Sequence, residues 1–274
     1  MNNNECTALA CPVCRLKLTK EGGSYRCENG HSYDISRKGY VNLLMSQKSS
    51  KKRHGDDKLM VEARRDFLDK GYYEKLRDAV VSAVKRNADT GTVIVDAGCG
   101  EGYYTAAVHS AADGSHVYGI DISKDALIFA ARRDRELTLA AASASDIPII
   151  NGSADIIISI FAPVFPDEFL RALKDGGILI RAVPLEDHLL ELKQAIYDKA
   201  YRNPPDDFKL DGFEIISSET VRYMITLDNA KDIESLFMMT PYYYKTSRTD
   251  QEKLTKLSHL ETRAEFGVII YRKS

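Results

Sequence analysis

Cys11, Cys14, Cys27 and His31 follow the spacing C-x2-C-x12-C-x3-H near the start of the chain. Two pairs of soft ligands, each bridged by a short turn, suit tetrahedral zinc. Protein side chains fill all four positions, so such a site is structural and has no open position for catalysis. Pro12 and Gly30 suit tight turns between the paired ligands. Cys6 is a substitute ligand with a poorer spacing, and Cys99 is expected to be a small packing side chain. The chain has five cysteines, an odd number, and its start, MNNNECTALA, lacks a charged region followed by an apolar stretch. The cluster therefore reads as metal binding in a cytoplasmic protein rather than as disulfides.

The second candidate for chemistry is VIVDAGCGEGYYT, residues 93–105, where a buried strand meets a helix start. Gly98, Gly100 and Gly102 are spaced G-x-G-x-G, which departs from the dinucleotide pattern G-x-G-x-x-G. Asp96 sits just before the turn. Asp121 ends the next strand, HVYGID, where an acid accepts hydrogen bonds from ribose hydroxyls. Glu101 inside the loop would repel a pyrophosphate but tolerate a cationic sulfonium. The pattern D-x-G-x-G-x-G with a later acid resembles the first two motifs of class I S-adenosylmethionine methyltransferases. Further along, Ser145 and Asp146 stand either on the adenine side of such a site or in a polar turn before Pro148. Phe161, Ala162 and Pro163 close the fourth strand, where switch-point geometry puts the reacting atom; an aromatic there could stack on a flipped base, or simply end a buried strand. Asp167 and Glu168 are candidate general bases, or charges that complement a helix N-terminus.

The elements that must position these residues alternate. Two helical stretches, LMVEARRDFLDKG stopped at Gly71 and YEKLRDAVVSAVKRNA, precede the first strand. Strands TVIVDAG, HVYGID, ELTLAAAS, ADIIISIF and GGILIRAV then follow one another. Helices are expected from about 102 to 111, after Ser123, over 166–174 and in EDHLLELKQAIYDKA, with AKDIESLFMM and a closing strand, FGVIIYRK, at the end. This alternation predicts an α/β fold with a doubly wound, Rossmann-like, mostly parallel sheet. Residues 1–35 read as a small zinc-binding module, 36–58 as a basic linker and 59–274 as the catalytic domain. Between Ile35 and Gly55 there is no acid but six basic residues: Arg37, Lys38, Lys48, Lys51, Lys52 and Arg53. That segment is either a solvated loop or an arm on phosphate. The net charge is only −2, so a nucleic acid would have to be met by a local patch. No apolar run reaches membrane-spanning length, and no membrane role is expected.

CPVC with C-x3-H, DISRKGYVNLL, GDDKLMVEARRDFLDKGYY, DAGCGEGYYT, PLEDHLLELK and MMTPYYYK occur in that order over nearly the whole chain. Together they resemble the ribosomal RNA guanine-N1 methyltransferases of the RlmA type. The resemblance implies S-adenosylmethionine as methyl donor and zinc on Cys11, Cys14, Cys27 and His31. It implies methylation of guanine N1 in a hairpin loop of domain II of 23S ribosomal RNA. It carries cofactor contacts to Tyr73, Gly100, Glu101 and His188, and it leaves a homodimer open. Two branches of the family modify neighbouring guanines, one is linked to macrolide resistance, and the branch stays open here. Where relatives can have a cysteine after Ala-Pro, Val164 stands, which excludes a thiol role at that position. Tyr242 to Tyr244 are either base-stacking residues or a core or hinge strand. The alternatives are a small-molecule methyltransferase with a structural zinc cap and a non-catalytic RNA-binding module.

Overall fold

The computed structural model describes residues 8–45 and 57–274. Cys6 and, from the expected basic arm, Lys48, Lys51, Lys52 and Arg53 lie outside the described residues. Strands β1 (Thr19–Glu21), β2 (Ser24–Arg26) and β3 (Ser32–Asp34) make a small antiparallel sheet. β4 (Val41–Asn42) leaves this module and joins the large sheet. Helices α1 (Lys58–Leu68) and α2 (Glu74–Lys85) follow. Asp57 caps α1 by accepting from the Met60 amide at 3.0 Å, and Gly71 closes the next turn at φ 80°.

The alternating region then runs β5 (Val93–Ala97), α3 (Tyr103–Ala111), β6 (His116–Asp121), α4 (Lys124–Arg133), β7 (Thr138–Ala141), β8 (Ala154–Ile160), α5 (Pro166–Ala172), β9 (Leu173–Pro184) and α6 (Leu190–Ile196). The chain ends with β10 (Phe213–Leu227), α7 (Ala230–Met238), a 3-10 turn (Tyr243–Lys245), α8 (Arg248–Leu254) and β11 (Leu260–Lys273). The eight-stranded sheet has the order β10-β11-β9-β8-β5-β6-β7-β4. Strands β4 to β9 are parallel, and β11 is antiparallel to both β9 and β10. The order reverses between β6 and β8 on either side of β5, so ligands are expected at the carboxyl end of β5.

The structure departs from the expected organisation at two places. The stretch read as a linker over 36–58 is partly built into the fold. Val41 and Leu43 are buried, Val41 pairs in parallel with Ala140, and Lys58 opens α1. β10 and α8 did not stand out in the sequence. No helix links β7 to β8, and none was expected there. The zinc module packs there instead: the Ala10 amide donates to Pro148 O at 2.8 Å and the Ile150 amide to Ala8 O at 2.9 Å. Leu9 and Leu18 enter one core cluster with Val95, Ala140, Ile147 and Ile149. The other face of the sheet carries residues of α1 to α4, α6 and α7. Each buried leucine of the module is stabilised by about 1.5–3 kcal/mol relative to exposure, so the module has a share in the main core rather than one of its own.

Candidate active site and metal centre

Both ligand pairs sit in tight turns. The Arg15 amide returns to Cys11 O at 2.8 Å with Arg15 at φ 61°, and the Gly30 amide returns to Cys27 O at 2.9 Å with Gly30 at φ 82°. The turns bring Cys11, Cys14, Cys27 and His31 together, with all four ligand atoms within 4.8 Å of one another. Cys14 Sγ lies 3.6 Å from Cys27 Sγ, and His31 Nδ1 lies 3.6 Å from Cys11 Sγ and 3.3 Å from Cys27 Sγ. A zinc tetrahedron with bonds of about 2.3 Å to sulfur has S···S edges of roughly 3.8 Å, so the donor set and its size fit the ion. Burial opposes charge on Cys11. The Tyr33 hydroxyl at 3.2 Å and the amides of Cys14 and Val13 outweigh it and hold the thiol at about 6, ready to ligate as thiolate.

At the carboxyl end of β5 the three loop glycines all have positive φ, for different reasons. A Cβ on Gly98 would lie 2.6 Å from Ala162 Cβ, and one on Gly102 would lie 2.9 Å from Ala130 Cα. Those two glycines let the loop pack on the fourth strand's end and on α4. A Cβ on Gly100 would meet nothing nearer than Arg64 Nη1 at 3.8 Å. Gly100 thus faces open space, as a backbone approached by a ligand would. Its amide donates to Asp121 Oδ2 at 2.8 Å, and Asp121 Oδ1 accepts from the Ser123 amide at 2.7 Å. Asp121 is therefore held rigidly at the lip of the site.

Asp96 is buried, and its Oδ2 accepts from the Thr105 hydroxyl at 2.6 Å. Its Oδ1 is buried with no hydrogen-bond partner. Burial raises the Asp96 pKa to about 7; the Thr105 bond opposes this and the charge of Asp121 adds to it. A buried carboxylate oxygen left open beside a glycine loop fits a cationic, hydrogen-bond-donating ligand. Glu101 takes another part than expected. Its buried carboxylate pairs with Arg133 from α4, whose second partner is Asp69 at 2.7 Å. Burial raises the Glu101 pKa against the pull of Arg133. Its side chain thus clamps the loop to α4, a role its position in the motif did not reveal.

Tyr73 and His188, which are 115 residues apart, meet beside this end of the sheet, with Tyr73 Oη 3.4 Å from His188 Nε2. The Glu265 amide donates to His188 Nδ1 at 3.2 Å, so the neutral ring carries its proton on Nε2, toward Tyr73. Burial, and then the charge of Lys193, depress the His188 pKa to about 3. Glu265 also holds the neighbouring loop, since its carboxylate accepts from the Asp187 amide at 2.8 Å and from Arg222 Nε at 2.6 Å. Phe161 completes this wall. It sits at φ 55°, is 45% exposed, and lies 6.3 Å from Tyr73 and 5.6 Å from Phe266 between ring centroids. A large aromatic in the left-handed region and half in solvent is a strained arrangement of the kind found at functional sites.

The remaining candidates separate. Glu168 accepts from the Ile147 amide at 2.6 Å and twice from Arg171, at 2.7 and 2.9 Å, so it braces the β7–β8 loop. Asp167 is exposed and has no partner among the described residues. Asp146 pairs with Arg15 of the zinc module, and Ser145 bonds Ser143 at 2.8 Å. Tyr242 is half-buried against Lys193, while Tyr244 is exposed and pairs with Asp57. Arg133, Glu265 and Lys193 escaped the sequence reading; an isolated charge in a helix or strand gives no signal of its partner.

Comparison with known proteins follows this geometry. A family profile described as RlmA, N-terminal, a zinc ribbon, matches residues 9–52, and a methyltransferase-domain profile matches 94–177. A 23S rRNA (guanine(748)-N(1))-methyltransferase of Streptomyces fradiae is 34% identical over 84% of this chain and 83% of its own length. YxjB of Bacillus subtilis (strain 168), whose name carries the same rRNA, base and atom, is 31% identical over 96% of each chain. Among solved structures, the YcgJ protein of Bacillus subtilis superposes with a TM-score of 0.48 at 13% identity, over 72% of this chain and 97% of that one. With its zinc ribbon, its class I methyltransferase sheet and relatives that align over most of both chains, this protein belongs to the RlmA-type family of S-adenosylmethionine-dependent 23S rRNA (guanine-N1)-methyltransferases.

Proposed function

We propose that this protein methylates N1 of a guanine in a hairpin loop of domain II of 23S ribosomal RNA, as a cytoplasmic enzyme. The observation that carries the reading is the joining of two parts in one core: a four-ligand zinc ribbon, and a glycine loop whose neighbouring carboxylate keeps a buried oxygen open. S-adenosylmethionine supplies a methyl group on a cationic sulfonium, which leaves as the neutral thioether when the guanine N1 lone pair takes the methyl and N1 gives up its proton.

The protein's own residues position and desolvate. Gly98, Gly100 and Gly102 shape the loop, and Gly100 lets its backbone approach the cofactor. Asp121 is fixed by two amides and offers its remaining lone pairs to ribose hydroxyls. Asp96 offers Oδ1 to a cationic donor group. Tyr73 and the neutral His188 would form a buried wall of the cofactor site, with the Glu265 amide holding the imidazole in register. Phe161 presents a ring edge or face to a base taken out of its stack, next to the reacting atom. Of the two candidate bases, Glu168 is already engaged, which leaves Asp167 to receive the N1 proton; a positioned base contributes about 10²–10⁴-fold.

A small-molecule methyltransferase gains little from a four-ligand zinc ribbon followed by the acid-free basic stretch, and loss of the glycine loop's fit would favour a plain RNA-binding module. Purified protein, labelled S-adenosylmethionine and unmodified 23S rRNA, followed by primer extension, test the reading, because N1 methylation blocks Watson–Crick pairing and stops the polymerase. A stop in the domain II hairpin loop is expected. Cofactor binding with no stop on rRNA or on ribosomal particles would replace this reading with the small-molecule one. Sedimentation of the same sample measures whether the enzyme is a homodimer.

A further inference from the structure

We infer that a groove between the zinc module's exit turn and the end of α4 holds a stretch of the substrate RNA's sugar-phosphate backbone. The inference rests on the rRNA reading above and adds to it a named surface outside the glycine loop.

The groove has a volume of about 490 Å³, and Arg37, Lys38, Arg132 and Arg135 line it. All four are exposed. Elsewhere most of the described arginines meet carboxylates, among them Arg15 with Asp146, Arg65 with Asp66, Arg77 with Glu74, Arg133 with Glu101, Arg171 with Glu168 and Arg263 with Asp187. The four groove cations have no carboxylate partner among the described residues. The one acid in the lining, Asp134, is engaged by His109 Nδ1 at 2.5 Å and by the Glu136 amide at 2.9 Å. In a chain of net charge −2, four unpaired cations converging from two separate elements form a local anion field.

The walls are fixed relative to one another. Gly39, at φ 92°, closes the turn so tightly that a Cβ there would lie 2.9 Å from Ala131 Cβ on α4. The cations are therefore presented on a rigid frame, two from each wall, as a run of successive phosphates requires. α4 is also capped by Ser123, two residues after the ribose-side acid Asp121, so one helix links the groove to the cofactor loop. Ile128 and Ala131 form the groove floor between the cations, so a sugar-phosphate backbone can set its phosphates on the three guanidinium groups and Lys38 while its sugars pass over the apolar floor.

The test uses the full chain with two double variants, Arg37→Gln/Lys38→Gln and Arg132→Gln/Arg135→Gln, and the quadruple. Affinity for a 23S rRNA domain II fragment is measured against salt. Each lost phosphate contact flattens the slope of log K against log salt by about 0.7, so each double variant should lose about 1.4 and the quadruple about 3. At 0.15 M salt the quadruple should bind about a hundredfold more weakly. KM for RNA should rise while cofactor affinity and melting temperature stay as in the wild type. As a second readout on unaltered protein, RNA should protect Lys38 from acetylation more than Lys209, an exposed lysine away from the groove lining. A wild type that binds the RNA with quadruple-variant slopes unchanged, or with Lys38 unprotected, overturns the groove and leaves the function standing. A wild type with no salt-dependent rRNA binding overturns both. Displacement of bound RNA by polyglutamate as effective as by RNA itself would reassign the groove to an acidic protein and overturn it as well.

Discussion

The glycine loop offers a test in which stability and binding part company. Gly102 and Gly100 both sit at positive φ, 85° and 56°. Alanine at either position carries a left-handed penalty of about 1 kcal/mol, partly offset by about 0.4–1 kcal/mol from the stiffer unfolded chain. The surroundings then decide. At Gly102 the new methyl would stand 2.9 Å from Ala130 Cα and 2.8 Å from its Cβ. Backbone and a short side chain cannot swing aside, so overpacking adds about 1–3 kcal/mol. Gly102→Ala should therefore lose about 1–3.5 kcal/mol, or roughly 2–14 °C of melting temperature for a domain of this size.

At Gly100 the nearest atom is the far end of Arg64 at 3.8 Å, so the cost to stability stays below about 1 kcal/mol. A methyl there intrudes instead on the space a bound cofactor's backbone contacts need. Gly100→Ala should bind S-adenosylhomocysteine about 10–100-fold more weakly, from the same 1–3 kcal/mol of overpacking now charged to the complex. Differential scanning calorimetry and isothermal titration on the two variants read both quantities. Equal melting losses, or a Gly100→Ala variant that binds as tightly as the wild type, would refute the division of labour between the glycines.

Asp96 gives a pH signature. Its folded pKa of about 7 lies above an unfolded value of about 3.9, so the folded state holds the extra proton between them. The contribution to stability is fully present below about pH 4 and is lost as pH rises through 7. Asp96→Asn, which does not titrate, should melt close to the wild type at pH 4 and above it at pH 8; a melting difference that is constant with pH contradicts the buried, half-partnered carboxylate. Chelation of zinc should lower the melting temperature of the whole chain in a single transition, and a separate low-temperature transition would show instead that the ribbon is an independent unit. Phe161→Gly relieves the left-handed strain but gives up the ring's packing on Tyr73 and Phe266, so stability should change by less than about 1 kcal/mol while KM for RNA rises or kcat falls, with cofactor affinity unchanged. A variant of full activity would remove Phe161 from the site.

Much of the fold was legible because buried parallel strands and amphipathic helices leave strong patterns. VIVDAG, HVYGID and ADIIISI are near-continuous apolar runs, and they became β5, β6 and β8. β10 left no such trace. Its sequence, FEIISSETVRYMITL, lies at the edge of the sheet, and most of its residues face solvent. β4 is two residues long and is a strand because Val41 meets Ala140, a contact set by tertiary packing. At the site, residue types at the turn were readable, since glycine spacing and acids at strand ends are local. Their partners were not. Glu101 turned to Arg133 and Glu168 to Arg171, and pairings of that kind depend on which helix packs where.

The zinc ribbon packs on the connection between β7 and β8, which has no helix of its own, so it cannot be a detachable cap. Ala140 of β7 and Ile147 and Ile149 of the connection are all buried, and Leu9 and Leu18 of the ribbon lie in the same cluster. Metal geometry fixes Cys11. Its neighbour Ala10 bonds Pro148, Ala8 bonds Ile150, and Arg15 of the same knuckle pairs with Asp146. The chain of contacts therefore runs from the metal site to the β7–β8 loop, through backbone hydrogen bonds and an ion pair. Deleting the first 55 residues would strip this cover, expose the apolar face and disturb the loop, so loss of activity in a truncation would say nothing about RNA. Only substitutions that leave the ribbon folded, such as those lining the α4 groove, separate grip on RNA from support of the sheet.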